Sequence, residues 1–147
     1  MLPARDGVRE VQAQLSRYLG KLRERIPLEA VAVAGSRARG GHCTDSDIDL
    51  VAVSPSFEGM TAAERTELLL QDWYDIPTLQ PQGFTPSEVL DPRSMFLWDA
   101  LHEGQVLLDS HVWESGRREL SGRIARGELT RTPGGWRIRA PSGPQQR

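Results

Sequence analysis

A chain of 147 residues, 38% hydrophobic and 26% charged, suits one soluble globular domain with a single core. Its longest apolar runs, 31–34 and 48–53, are far too short to span a bilayer, and the N-terminal stretch lacks the apolar segment of a secretory signal, so a cytoplasmic location is expected and a membrane partner is not. The single cysteine, Cys43, excludes an intramolecular disulfide, and the net charge of −2 is uneven: residues 121–147 carry Arg123, Arg126, Arg131, Arg137, Arg139 and Arg147 against Glu128 alone.

In chain order, Val8, Val11, Leu15, Tyr18, Leu19 and Leu22 recur at helical spacing and predict an amphipathic helix over 6–25, ended by Pro27. Residues 28–34 read as a buried strand bounded by Gly35, and 35–46 as a loop or short helical turn. A second strand is expected over 47–53, with Ile48, Leu50 and Ala52 on one face and Asp47, Asp49, Val51 and Val53 on the other. Thr61 and Glu64 have the form of a capping box for a helix over 61–74. A third, edge strand is expected over 76–80, because Pro77 and Pro81 bracket it. Thr85-Pro86-Ser87-Glu88 reads as another helix start, followed by a helix over 94–102, an extended segment over 104–108 and a helix over 112–120. A hairpin is expected over 129–139, centred on Pro133-Gly134-Gly135. The chain therefore divides into a body at 1–120 and a basic tail at 121–147, the tail solvated or touching RNA, an acidic partner or the body itself.

The stretch 31–53, VAVAGSRARGGHCTDSDIDLVAV, carries the chemistry. Carboxylates at i and i+2 on a strand share a face about 6–7 Å apart, so Asp47 and Asp49 can converge on a hard cation. Mg²⁺ prefers oxygen ligands and is usually held by one or two carboxylates plus substrate phosphates. Gly35 lets the backbone approach a phosphate, and Ser36 adds a hydroxyl and neighbouring amides. Arg37 and Arg39 stand in the same loop as candidates to neutralise a triphosphate. This set fits nucleotidyl transfer, in which pyrophosphate leaves. His42, Cys43, His102 and His111 read as loop or surface residues, Trp73 and Trp98 as core, and Glu64, Glu67, Glu88 and Glu103 as helix-surface charges.

Gly35-Ser36, ten residues, then Asp47-x-Asp49 between two apolar strands resembles the signature of the DNA polymerase β-type nucleotidyltransferase superfamily, and most nearly its minimal nucleotidyltransferases. FTPSEV at 84–89 and ALHEGQVLLDS at 100–110 are also similar to the downstream segments of those small proteins. The resemblance covers 28–110 in layout and is specific over 33–53. It implies an α/β nucleotidyltransferase fold: a short mixed β-sheet with helices mainly on one face. It further implies Mg²⁺, ATP or another NTP as substrate, and AMP transfer to a protein acceptor such as a HEPN-type toxin. Nucleic acid is not an expected partner. The superfamily places a third acid on a later strand. Counting back from Thr85-Pro86 puts that position near Thr78, which is not an acid, so Asp75 is the candidate general base. The same features admit two rival readings. One is a module that binds a partner without catalysis; the other is an aminoglycoside-type enzyme, a class that usually carries a further helical domain.

Overall fold

The computed structural model describes residues 6–40 and 46–139, so His42 and Cys43 lie outside the described residues. The first apolar stripe winds into α1 (Gln12–Arg25), entered through a 3₁₀ turn at Arg9–Val11 that Asp6 caps by accepting from the Arg9 N–H at 3.0 Å. The alternating apolar runs become β1 (Ala30–Ala34) and β2 (Ile48–Val53), joined through the short helix α2 (Gly35–Arg39). Thr61 and Glu64 form the expected capping box on α3 (Ala62–Leu70), and Thr85 and Glu88 form a second one on α4 (Pro86–Leu90). Ser94 caps α5 (Met95–Glu103), which leads into β4 (Gln105–Asp109) and α6 (Val112–Ala125).

The third strand is displaced from the expected 76–80: β3 spans Leu79–Phe84 and contains Pro81. The physical reason is its position. The sheet order is β3-β2-β1-β4, so β3 is an edge strand, where a residue without an N–H is tolerated. β3 runs parallel to β2, while β1 is antiparallel to both β2 and β4, giving a mixed sheet.

Helices cover both faces of this sheet rather than mainly one. Val31, Val33, Ile48, Leu50 and Ala52 pack under Leu15, Tyr18 and Leu22 of α1 and Leu69 of α3. Ala30, Ala32, Val51 and Val53 pack on the opposite side against Val89, Leu97, Leu101, Trp113 and Leu120. Period-2 alternation on the inner strands therefore feeds two separate cores.

The division expected at residue 120 falls inside α6, which continues to Ala125. The hairpin β5 (Leu129–Thr132) and β6 (Gly135–Ile138) follows, with Leu129 and Trp136 buried in the second core. Two basic residues of this end meet the body closely: Arg123 binds Asp91 and Glu119, and Arg131 lies 3.4 Å from Glu103. Among the described residues no helix is long and apolar enough to cross a membrane.

Candidate active site

At the end of β1 the chain turns into α2 through Gly35, whose φ of +69° favours glycine. A β-carbon on Gly35 would overlap Asp49 Oδ2, so this residue is what allows β1 and the carboxylate on β2 to come together. Ala34 and Asp49 are register partners, which fixes the approach. Burial pushes the Asp49 carboxyl above its ordinary value, the negative charge of Asp47 pushes it further, and Arg39 partly offsets both. Ala34, Gly35, Arg39 and Asp49 form one end of an open cleft of about 1350 Å³. Gln80, Gln82, Phe84, Phe96 and Asp99 line it further along.

The parallel register places Gln80 beside Asp49, and Gln82 and Phe84 beside Val51 and Val53. Residues paired across adjacent strands share a face, so Gln80, Gln82 and Phe84 extend the surface that carries Asp49. The Gln80 amide donates to Asp47 Oδ2 at 2.6 Å. The resemblance put the third acid near Thr78; the side chain that the sheet sets beside the carboxylate pair is instead the Gln80 amide. Asp75 is not on β3. It lies in the bend before the strand and pairs with Arg17 at 3.4 Å. Thr78 contributes its carbonyl, which accepts from the Ile48 N–H at 2.8 Å.

The two loop arginines separate. Arg37, expected at the triphosphate, is buried: its Nε donates to the Ser46 carbonyl at 3.1 Å and its Nη1 to the Gly7 carbonyl at 3.0 Å. It ties α2 to the N-terminal turn and to the start of β2, because a buried guanidinium must find acceptors for its donors. Arg39 remains on the cleft wall, with Nη1 3.3 Å from Glu103 Oε2. Ser36, half-buried, follows Gly35 in α2.

Sequence reasoning missed Gln80, Gln82 and Glu103. The first two were visible as the polar half of the alternation Leu79-Gln80-Pro81-Gln82-Gly83, had the strand been carried through Pro81. Glu103 had no local signal, since its partners Arg39 and Arg131 come from opposite ends of the chain.

Residues 15–84 match the family model of the nucleotidyltransferase domain. Over that segment, a little under half of its length, the chain is similar to the nucleotidyltransferase domain. No curated protein matches the chain significantly. Among solved structures, a candidate nucleotidyltransferase from Sulfolobus solfataricus superposes with a TM-score of 0.53 at 18% identity, covering 76% of this chain and 94% of that one. A toxin–antitoxin structure with AMP-PNP gives a TM-score of 0.50 at 19% identity, covering 76% and 87%. A mutant of the toxin–antitoxin MntA–HpeT gives 0.51 at 16% identity, covering 75% and 86%. At these identities the likeness is one of fold.

The Asp47–Asp49 arrangement fits a hard divalent cation in one respect. Asp49 stands on β2 and Asp47 two residues earlier, just before the strand, and the like charge of Asp47 disfavours ionisation of Asp49, an imbalance a cation would relieve. Among the described residues, however, no group of three or more His, Cys, Asp or Glu side chains is placed to hold a metal. The fit is to a cation completed by phosphate oxygens, not to a site made wholly of protein ligands.

Proposed function

We propose that this domain binds ATP with Mg²⁺ and transfers AMP to a hydroxyl of a protein acceptor, in the manner of an antitoxin acting on a HEPN-type toxin. The observation that carries the reading is the meeting of Gly35 and Asp49 on the cleft wall, where a phosphate-approach backbone adjoins a carboxylate two residues from Asp47. Asp47 and Asp49 would hold Mg²⁺, which when bound supplies charge neutralisation and Lewis acidity at the triphosphate. Gly35 and Ser36 would bind phosphate oxygens through backbone N–H groups and a hydroxyl. Arg39, released from Glu103, would add a guanidinium to the phosphate tail. In the reaction the acceptor oxygen forms a bond to the α-phosphorus, the bond to the pyrophosphate oxygen breaks, and the acceptor proton passes to solvent. Support for the acceptor class comes from the fold neighbours: two are toxin–antitoxin structures, one of them with AMP-PNP.

A second reading, a partner-binding module with little or no catalysis, is favoured by one observation: the side chain beside the carboxylate pair is the Gln80 amide rather than an acid. The test is incubation of the chain with α-labelled ATP, Mg²⁺ and the protein product of the neighbouring gene. Label on that protein, lost with Asp49→Asn, is the expected result. Nucleotide binding with no label on the acceptor would favour the second reading, and no Mg²⁺–ATP binding at all would overturn the first.

A further inference from the structure

We infer that Gln80 restricts the cleft to one divalent cation per chain, the cation that arrives with the nucleotide. The inference rests on the metal–nucleotide reading of Asp47 and Asp49 and adds a stoichiometry to it. Gln80 is the register partner of Asp49, and its Nε2 donates to Asp47 Oδ2 at 2.6 Å. In that orientation a donor occupies an oxygen that a cation would otherwise take. Turned over, the amide offers a neutral oxygen. Neither orientation adds negative charge.

Two divalent cations in one site stand about 3.5–4 Å apart and repel each other strongly, so a site that holds both must surround them with anionic ligands. This cleft has few to spare. Glu67 also lines it, but from α3, whose Leu69 packs on the sheet face opposite to the one that carries Asp49. Glu88 is bound by Arg65 at 2.6 Å and caps α4, while Asp99 accepts from Trp136 Nε1 at 2.9 Å. Asp75 is held outside by Arg17. Asp47 and Asp49 with a triphosphate can complete one octahedral shell. A second ion would need a carboxylate at position 80. Its lack leaves the acceptor hydroxyl without a second cation to favour loss of its proton, so transfer by the natural chain is slow and Gln80→Glu should quicken it.

The experiment counts Mn²⁺ by electron paramagnetic resonance in the chain saturated with a non-hydrolysable ATP analogue. One ion per chain is expected for the natural protein and for Gln80→Ala, and two for Gln80→Glu, with transfer from ATP raised tenfold or more. Gln80→Asp serves as a second acidic variant should the glutamate fail to fold by circular dichroism. Two ions in the natural chain, or one in folded acidic variants, would overturn the inference and leave the metal–nucleotide reading standing. No retained ion in the natural chain would overturn both, and Asp49→Asn, expected to retain none, distinguishes ions held by the carboxylate pair from ions held by nucleotide alone.

Discussion

Gly35 and Asp49 share one volume: the space a β-carbon would take on Gly35 is filled by the Asp49 carboxylate. Gly35→Ala therefore faces two penalties, a backbone at φ +69° and a collision with Oδ2. The strained backbone alone costs about 1–3 kcal/mol. The side chain that must move is Asp49, so nucleotide affinity should fall at least tenfold as well. Calorimetric titration with Mg²⁺–ATP beside a thermal melt checks both; unchanged affinity in a folded variant would separate Gly35 from the site.

A second prediction concerns pH. The folded-state carboxyl of Asp49 is raised above its ordinary value of 3.8 by burial and by Asp47. The folded chain thus holds that proton more tightly than the unfolded chain. The stabilising contribution is complete below the ordinary carboxylate value and is lost as pH rises through the raised one. Asp49→Asn removes the charge, so in the presence of a chelator it should melt higher than the natural chain at pH 7. The difference should close as pH falls below that window. Equal melting temperatures at pH 7 would count against an electrostatically unfavourable pair.

The loop arginines should behave oppositely when removed. Arg37→Ala leaves the Gly7 and Ser46 carbonyls without this donor in a buried setting and should cost on the order of 3 kcal/mol. Arg39→Ala removes an exposed side chain from the cleft wall and should leave the melting temperature within a degree or two while weakening ATP binding. Thermal melts and titrations of the two variants check the contrast. A reversed pattern would put the phosphate-binding role on Arg37.

That contrast shows where sequence reasoning reached and where it stopped. The strand–glycine–strand frame around Gly35, Asp47 and Asp49 was legible because it is local: apolar alternation sets the strands, and the glycine and carboxylates sit at fixed offsets from them. The Thr61–Glu64 capping box, the helix start at Thr85 and the hairpin were legible for the same reason. Which of Arg37 and Arg39 turns inward depends on Gly7, 30 residues earlier in the chain, and no local pattern encodes that. The strand carrying Gln80 was misplaced because Pro81 is a poor strand residue everywhere except at an edge, and edge position is a property of the whole sheet. Both sheet faces needed helices because all of β1 is buried and β2 is apolar on both sides beyond Asp49; reading helices onto one face left one set of those residues without cover.

The last prediction concerns residues beyond the matched segment. The composition of 121–147 suggests a dispensable tail, yet the hairpin is seated on α5. The Trp136 ring lies 5.9 Å from Trp98 and 5.6 Å from His102, its Nε1 donates to Asp99, and Arg131 stacks over it at 5.4 Å. Trp136→Ala should cost about 3 kcal/mol, a fall in melting temperature of roughly 10 °C for a domain of this size. Deleting residues 127–147, which leaves α6 intact, should cost at least as much because Leu129 is lost from the same core. The deletion should also reach the cleft. Glu103 divides its carboxylate between Arg131 at 3.4 Å and Arg39 at 3.3 Å. Without Arg131, its charge falls on Arg39 alone and holds that guanidinium away from a phosphate. Arg131→Ala, which loses the guanidinium over the Trp136 ring but keeps the ring's contacts with Trp98 and His102, should therefore weaken Mg²⁺–ATP binding a few-fold with a smaller loss of stability than Trp136→Ala, and Glu103→Gln added to it should restore the affinity. Full stability after the deletion would return the hairpin to the status of a tail, while restoration failing in the double variant would uncouple it from the cleft.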